Sequence, residues 1–243
     1  MSKLKKQIIL SAALATLSSP VVAQDNDWNY RAFVYLWAPE LGATTTTGQD
    51  TSVSFSTLLD NLDFGLMGAL EANRGPWSLL GDFQYLDLGA DANAPVGPGI
   101  PVQADADITG FVFTGSVGYD LRHTQTGQMV AFGGLRYLDM DATVNLAVGP
   151  GSQRVSGSIS NWDGIVGLRG SHPLADRWNI SYYADVGAGD SDLTWQAGLT
   201  FDYQINNWYL SFGYRHLEWD IDNSNVLTNM SFSGPIFGAR IPF

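Results

Sequence analysis

The chain has 243 residues, no cysteine, and 12 basic against 24 acidic residues, for a formal net charge of −12. The lack of cysteine excludes a disulfide scaffold and a thiolate metal site. The negative charge argues against a nucleic-acid partner, because such a surface repels phosphate. Glycine and aromatic residues are abundant while only 15% of the residues are charged, a mixture that suits a lipid-facing β-barrel better than a water-soluble surface.

The first 23 residues have the composition of a secretory signal peptide. Three lysines precede an apolar run over residues 8–17, and small residues lead to Ala23, where we expect cleavage. The run is too short to span a bilayer, and no later stretch reaches the roughly 18 apolar residues that a transmembrane helix needs. We expect residues 24–243 to form one domain, in which nine arginines and no lysine stand against 24 acidic residues.

This domain is dominated by segments in which apolar residues alternate with small or polar ones. A period of two predicts strands with lipid on one face and a polar interior on the other. Ten segments show it: 28–38, 63–72, 77–88, 107–121, 128–140, 156–170, 177–187, 193–205, 208–219 and 229–243. They predict an all-β fold, a closed antiparallel up-and-down transmembrane β-barrel of ten strands, with eight strands as the alternative.

The connections between these segments mostly alternate between long and short. Barrels whose termini both lie in the periplasm have this arrangement, with the long connections outside the cell. We therefore expect outer loops at 39–53, 89–106, 141–155 and 220–228. After the first of these, apolar residues recur at helical spacing over 55–62, and Thr57 with Asp60 has the form of a capping box. This pattern predicts a short helix, either over the barrel mouth or against its rim.

The last strand carries two further signals. Phe243, Ile241 and Phe237 share one face, and this pattern resembles the signal by which bacterial outer-membrane barrels are recognised for assembly. Taken alone, the same pattern also fits an edge strand of a soluble β-sandwich. Pro235 and Pro242 cannot donate to a strand ladder, so we expect a bulge or a weakly paired seam between the last strand and the first.

An internal repeat supports the strand register. The segments 81–88, 133–140 and 212–219 follow one pattern and end strands that rise toward the outside. Each places a polar residue inward, an aromatic residue or histidine at the outer interface, and an acid just beyond.

Four segments carry a family resemblance: WDGIVGLRG at 162–170, DRW at 176–178, GYR at 213–215, and VSF with LLDNL within 53–62. With them, nearly the whole chain after the signal peptide resembles a family of largely uncharacterised proteobacterial outer-membrane β-barrel proteins, among the small OmpA-, OmpX- and OmpW-like barrels. The resemblance implies the barrel fold and the cell outer membrane of a Gram-negative bacterium. It implies no catalytic residues. We expect a monomer with outer-membrane lipid, lipopolysaccharide and the barrel-assembly machinery as partners.

Ten charged residues are predicted to point into the lumen. They are Arg31, Arg136, Arg169, Arg215 and Arg240, and Glu71, Asp82, Asp163, Asp185 and Asp202. Five charges of each sign form a near-neutral set, and buried charges persist only when paired and hydrogen-bonded. We therefore predict a cross-strand network of ion pairs that closes the lumen. The alternative is a narrow pore for small solutes or apolar molecules, with a charged constriction.

Acidic residues also cluster at the predicted outer rim: Glu40, Asp50, Asp87, Asp91, Asp105, Asp107, Asp139, Asp141, Asp190, Asp192, Glu218, Asp220 and Asp222. A solvated rim explains them, and divalent cation binding is the alternative. No spacing matches a known calcium loop, so we predict no metal site and no cofactor.

One group of residues raises the question of catalysis. His216 and Glu218 share the outer face of their strand, and Ser231 or Ser233 lies on the next strand, so a lipid-cleaving triad is conceivable. The His-x-Ser motif of known barrel lipases is absent, and the repeat places Tyr85 and Tyr137 where His216 stands. We therefore predict that the protein is not an enzyme. His123 and His172 fall in predicted periplasmic turns.

Overall fold

The computed structural model describes residues 27–45, 50–95, 101–124, 127–148, 151–221 and 227–243. The predicted signal peptide lies outside these ranges. Within them there are twelve strands and one helix. Their bounds are β1 Asn29–Trp37, β2 Glu40–Thr45, β3 Asp50–Val53, α1 Phe55–Asp60, β4 Leu62–Arg74, β5 Trp77–Pro95, β6 Pro101–Thr124, β7 Gly127–Val148, β8 Gly151–Ala175, β9 Trp178–Gly189, β10 Leu193–Ile205, β11 Trp208–Asp220 and β12 Leu227–Pro242.

Ten of the strands form a closed antiparallel barrel. β1 pairs with β4, each strand from β4 to β12 pairs with the next, and β12 returns to β1 through pairs that run from Arg31↔Pro242 to Trp37↔Ile236. The prediction of ten strands is confirmed, and the alternative of eight is wrong. Within the described ranges, no helix has the length and apolar character required to cross a membrane.

Side-chain exposure follows the predicted period of two. On β11, Ser211 and Arg215 are buried, whereas Leu210, Phe212 and Tyr214 have 47%, 40% and 54% of their surface exposed. An outward apolar face is what lipid requires, because hydrocarbon offers no partner to polar groups. The predicted assembly residues Phe237, Ile241 and Phe243 lie on this outward face of the last strand and its end.

Aromatic pairs mark both ends of the lipid-facing band. Near the short turns, Trp77 packs on Tyr119 with ring centroids 5.1 Å apart, and Tyr30 packs on the terminal Phe243 at 5.8 Å. Toward the other end, Tyr137 packs on Trp162 at 4.5 Å. Amphipathic rings at both boundaries are typical of membrane barrels.

The short turns use residues that tolerate a left-handed backbone. Gly75 and Asn206 both have φ of 55°, in the turns between β4 and β5 and between β10 and β11. Glycine and asparagine adopt this conformation at low cost, which permits tight two-residue connections.

Three predicted loops contain paired strands, the first being 39–53, where β2 and β3 pair from Leu41↔Val53 to Thr44↔Asp50. β5 and β6 stay paired from Gly89↔Asp107 to Pro95↔Pro101, and β7 and β8 stay paired from Asp141↔Ser158 to Val148↔Gly151. The prediction of loops at 39–53, 89–106 and 141–155 was therefore wrong. Proline in the segment 89–106 suggested a loop, but Pro95 and Pro101 lie at strand ends, where a missing donor costs little.

The first connection interrupts the barrel wall. β2 pairs with β12 in the register of β1, since Trp37↔Ile236 is followed by Glu40↔Ser233. β1 and β2 therefore act as one long strand alongside β12, interrupted at residues 38–39. Ala38 N donates to the Pro235 carbonyl at 2.9 Å, but Pro235 has no N–H to donate in return. The bulge predicted for this seam is absent from the described pairs, because β12 keeps one register from Arg31↔Pro242 to Glu40↔Ser233.

The predicted helix is present as α1. Its first turn is capped by Ser54, whose Oγ accepts a hydrogen bond from Thr57 N at 3.4 Å, and not by the Thr57 and Asp60 pair that the sequence suggested. Asn61 Nδ2 donates to the Thr57 carbonyl at 2.7 Å near the end of the helix.

Candidate functional site in the barrel lumen

The lumen has two chemically different parts. The half nearer the short turns contains the charged layer, which we define as Arg31, Glu71, Asp82, Arg136, Arg169, Asp185, Asp202, Arg215 and Arg240. The half nearer the long hairpins contains the apolar plug, which we define as Tyr35, Trp37, Met67, Val112, Leu138, Leu217, Trp219, Ile221, Met230, Phe232 and Ile236.

Arg136 and Asp185 form the most buried ion pair of the charged layer. Arg136 Nη2 lies 2.5 Å from Asp185 Oδ2, and both side chains are fully buried. Arg136 also donates to Thr194 Oγ1 at 3.0 Å and to Gln196 Oε1 at 3.3 Å. Hydrogen bonds of this kind satisfy the remaining guanidinium protons, which a buried charge requires.

A second pair joins the charged layer to the plug. Arg215 Nη2 lies 3.0 Å from Asp82 Oδ2, and Arg215 Nη1 donates to Tyr35 Oη at 3.0 Å. The Tyr35 hydroxyl in turn donates to Asp82 Oδ1. Gln196 Oε1 accepts from Arg215 at 2.9 Å and so links this pair to Arg136. The Arg215 guanidinium also lies 4.8 Å from the ring centroid of Trp37, a cation–π contact with the plug.

Two groups complete the layer nearer the turns. Glu71 is shared by Arg31 at 3.2 Å and Arg169 at 3.7 Å. Arg240 lies 3.3 Å from Asp202. Asp202 also accepts hydrogen bonds from two serine hydroxyls, of Ser181 and Ser211.

Asp163 is placed differently from the other predicted lumen residues. It is opposite Arg136 in the ladder, but the guanidinium reaches Asp185, two strands away. Asp163 instead accepts hydrogen bonds from Ser191 N and Ser191 Oγ, both at 3.0 Å. It therefore fixes the turn between β9 and β10, and among the described residues we find it in no ion pair within 4.0 Å.

The apolar plug was missed by the sequence reasoning. Leu138, Leu217 and Trp219 have no exposed surface. Leu138 lies two residues after Arg136, and Leu217 and Trp219 lie two and four residues after Arg215, so all three continue the inward face of their strands. The available signal was the run of large residues at inward positions near the outer strand ends. The plug follows from barrel size, since side chains fill a narrow lumen.

Two cavities of the lumen are lined by residues that the structure describes. One of about 190 Å³ lies within the charged layer, against Arg31, Glu71, Arg169, Arg215 and Arg240. The other, of about 40 Å³, lies beside the plug and has mainly apolar walls.

On the outer face, His216 is the centre of a hydrogen-bonded cluster. His216 Nδ1 contacts Ser233 Oγ, and His216 Nε2 lies 2.9 Å from Glu218 Oε2. Asn229 Nδ2 donates to Glu218 Oε1 at 2.7 Å, and the Trp195 ring lies 4.3 Å from the imidazole centroid. Of the two serines considered in the sequence, the structure thus brings Ser233 into contact.

The repeat position on β7 makes a similar cluster without a histidine. Tyr137 Oη donates to Asp139 Oδ2 at 2.6 Å and accepts from Ser160 Oγ at 3.2 Å. An aromatic side chain, an acid and a serine from the next strand therefore recur at two places on the outer interface.

Where its side chains are described, the predicted acidic rim is exposed except at Asp87, Asp139 and Glu218, which are half-buried. Exposed members are Glu40, Asp107, Asp141, Asp190, Asp192 and Asp220. The side chains of Asp50, Asp91, Asp105, Asp222 and His123 lie outside the description. Among the side chains that the structure describes, no group of three or more His, Asp or Glu is arranged to hold a metal ion.

Comparison with known proteins shows the fold. No protein-family model and no curated protein sequence matches the chain. Among solved structures, the translocator domain of the autotransporter NalP from Neisseria meningitidis is 16% identical with a TM-score of 0.55, over 90% of each chain. The attachment invasion locus protein Ail of Yersinia pestis is 10% identical over 89% of this chain and 98% of its own, with a TM-score of 0.43. A TM-score of 0.43 is too low to support a comparison with Ail beyond this statement.

The fold, the outward apolar face and the aromatic boundaries agree with one another. Every barrel strand is paired on both sides, although β4 pairs with β1 only over residues 68–73, so most backbone polar groups of the wall are satisfied without water. A closed ten-stranded barrel with this exterior is an integral protein of the bacterial outer membrane.

Proposed function

We propose that the protein is a structural, surface-exposed outer-membrane barrel whose lumen is closed to ions and solutes. The observation that carries the proposal is the apolar plug, which lies across the lumen above the charged layer. Leu138, Leu217 and Trp219 are fully buried in it. Ions cross a dry hydrophobic constriction poorly, because they lose their hydration without gaining partners.

The charged layer supports the same proposal. All five of its arginines lie within 4.0 Å of a carboxylate. Charges that are paired and hydrogen-bonded to one another are not free to line a path for ions, and they hold neighbouring and more distant strands together. The alternative of a narrow axial pore receives less support, because the plug lies across the axial path.

The long hairpins are the parts we propose to act outside the cell. β6 and β8 have 24 and 25 residues, whereas a tilted strand crosses the hydrocarbon with roughly 9–11. The excess length extends the barrel wall beyond the aromatic boundary. We propose lipopolysaccharide and outer-membrane lipid as the surroundings of this surface, and the barrel-assembly machinery as the partner for the C-terminal strand.

Single-channel recording of the refolded protein in a planar bilayer tests the closed lumen. We expect no steady conductance from the inserted, folded wild type. The double variant Leu217→Ala/Trp219→Ala removes two fully buried plug side chains and is expected to conduct more. Leu210→Ala, on the lipid face of the same strand, is the matched control. Steady wild-type steps that change in size in Arg136→Gln or Arg215→Gln would show a pore and reject the proposal.

We also propose that the His216 cluster is structural and not catalytic. Ser233 is paired with His216 of β11 on one side and with Glu40 of β2 on the other. Backbone N–H groups in a ladder are committed to strand pairing, so they do not form an oxyanion hole beside the hydroxyl. The cluster formed by Tyr137, which has no histidine, supports a common role in joining neighbouring strands at the interface.

A further inference from the structure

The larger cavity of the lumen lies within the charged layer and has a volume of about 190 Å³. Tyr35 and Ile236, which belong to the apolar plug, form part of its wall, so the plug bounds the cavity on the side of the long hairpins. On the opposite side, the side chains of Arg31 and Arg240 are 32% and 23% exposed, whereas Arg136 is fully buried. The cavity is therefore reached from the end with the short turns, which lies in the periplasm in barrels of this kind.

Positive charge exceeds negative charge on the wall of this cavity. Among its described lining residues, the charged ones are Arg31, Arg169, Arg215, Arg240, Glu71 and Asp82. Arg215 is paired with Asp82 at 3.0 Å, and Arg240 is paired with Asp202 at 3.3 Å. Arg31 and Arg169 share Glu71 between them. The excess positive charge of the wall therefore lies at Arg31 and Arg169.

Arg169 has the longest carboxylate contact of the five arginines in the charged layer. Its Nη2 lies 3.7 Å from Glu71 Oε1, whereas the contacts of the other four arginines measure 2.5–3.3 Å. Its terminal nitrogens donate to the hydroxyls of Ser78 at 2.7 Å and Ser116 at 3.2 Å. Only 10% of its side chain is exposed, and its buried Nε has no hydrogen-bond partner among the described residues. A buried guanidinium in this state is stabilised by a further carboxylate.

Apolar side chains form much of the remaining inward wall. Phe33 follows Arg31 by two residues on β1, and Leu80 precedes Asp82 by two residues on β5, so each shares the inward face with a charged neighbour. Val130 on β7 adds a third apolar surface. A bare inorganic anion would lose its hydration against these side chains without replacement. The wall is better matched to an anion that also has an apolar part, since ligand pockets combine apolar walls with a few polar groups that orient the ligand.

The volume sets the size of this anion. One water needs roughly 10–15 Å³ of such volume, so the cavity has room for a molecule of about ten non-hydrogen atoms. A benzoate ion is of this size.

We propose that the cavity binds a small organic carboxylate, an anion with a compact apolar part, that enters from the periplasm. The carboxylate group accepts hydrogen bonds from Arg31 and Arg169 and balances the charge that Glu71 alone leaves uncompensated. The apolar part packs on Phe33, Leu80 and Val130. The site lies on the periplasmic side of the plug and goes beyond the closed-lumen function. A closed and a conducting barrel can both contain it, so either proposal can fail without the other.

A pair of probes with the same shape and different charge tests the site. The full barrel is refolded in non-ionic detergent micelles and titrated at neutral pH with 4-fluorobenzoate or with 4-fluorobenzamide, followed by fluorine NMR. The amide also enters micelles, so it measures non-specific partition. We expect saturable binding of the benzoate and binding of the amide that is weaker by about ten-fold or more, because the amide forms no charge-assisted hydrogen bonds with the arginines.

A cavity-filling variant locates the binding. Gly198 lines the cavity, and a Cβ built there meets no atom closer than 3.7 Å, so a larger side chain can enter the space. We expect Gly198→Leu to weaken benzoate binding by about ten-fold or more, since it occupies the volume that the ligand needs. Gly110→Leu is the matched control, because Gly110 lines the smaller cavity and an added Cβ there meets only Met140 Cγ, at 3.6 Å. It is expected to bind benzoate like the wild type.

Heat-modified migration in gel electrophoresis verifies that each variant is folded, and the comparison of the two probes on the wild type requires no variant. If the wild type shows no saturable binding of 4-fluorobenzoate, the proposal is wrong. Equal affinity for the amide would overturn it as well, because the arginines would then contribute nothing. Unchanged benzoate binding in folded Gly198→Leu would place the ligand elsewhere and would also reject the site.

Discussion

The two halves of the lumen meet at side chains that are equally buried but are held together by different forces. On β7, the inward residues Arg136 and Leu138 are neighbours, and neither has any exposed surface. Arg136 is stabilised by one carboxylate and several hydrogen bonds, whereas Leu138 is stabilised by apolar contacts in the plug. On β11, Arg215 and Leu217 repeat the same change from charged to apolar over two residues. The position of an inward residue along the barrel axis, and not its degree of burial, therefore decides whether it is charged or apolar.

This difference predicts different responses to substitution. An ion pair fails badly when one partner is removed, because the other charge stays buried without compensation. An apolar contact loses only the removed atoms and the cavity that remains. Four variants, in order of decreasing expected effect, test this contrast.

The largest loss is expected for Arg136→Met. Asp185 then remains buried without its ion-pair partner, and we expect unfolding to become easier by about 3–5 kcal/mol. Urea unfolding in lipid vesicles, followed by tryptophan fluorescence, measures the change. The double variant Arg136→Met/Asp185→Leu removes both charges and should recover most of the loss. A double variant less stable than the single one would contradict this account of the pair.

A smaller loss is expected for Leu138→Ala in the plug. The side chain is fully buried in a cluster of apolar residues, so its truncation should cost about 2–4 kcal/mol. Leu135→Ala is the matched control on the same strand, since Leu135 faces lipid with 55% of its surface exposed. The same unfolding assay should show a clearly smaller loss for the control, and equal losses would mean that the plug is loosely packed.

A loss below about 1 kcal/mol is expected for Arg31→Gln at the end of the charged layer. The Arg31 side chain is 32% exposed, so solvent screens its attraction to Glu71. Glu71 also keeps its contact with Arg169 at 3.7 Å. A loss as large as that of Arg136→Met would show that position in the layer does not matter, and would remove the contrast between deep and shallow pairs.

The smallest effect is expected for His216→Ala, outside the lumen. The His216 and Glu218 side chains are 23% and 28% exposed, so we expect a change in stability of about 0.5 kcal/mol and no change in ester hydrolysis in detergent micelles. Tyr137→Phe, at the matching repeat position, is the control and should behave alike. Loss of a measurable hydrolytic activity in His216→Ala alone would reject the structural role.

Much of this molecule is determined by local sequence pattern. The period of two, together with the turn residues, predicted ten strands. The alternation of inward and outward positions along each strand predicted which charged residues face the lumen. The prediction succeeded because alternation and turn chemistry depend on residues that are close in sequence. Arg31, Arg136, Arg169, Arg215 and Arg240 all lie beside carboxylates of the predicted inward set.

Partner choice within the lumen was decided by tertiary structure alone. Arg136 pairs with Asp185 and not with Asp163, its neighbour in the ladder, because a long guanidinium side chain reaches across the lumen to residues set by strand stagger. The choice of Ser233 over Ser231 as the contact of His216 likewise depends on the register between β11 and β12.

The plug and the incomplete pairing between β1 and β4 were also beyond the sequence pattern. The alternation of residues along each strand predicts that Leu138 and Trp219 face inward. Only the closed ten-stranded barrel shows that such side chains lie at one depth and fill the lumen there. The ladder between β1 and β4 ends at Val34↔Gly68, and beyond the break at 38–39 the chain pairs with β12 and β3 and not with β4. Local sequence thus fixed strands and faces, whereas depth, stagger and closure, which are properties of the whole barrel, fixed what the lumen contains.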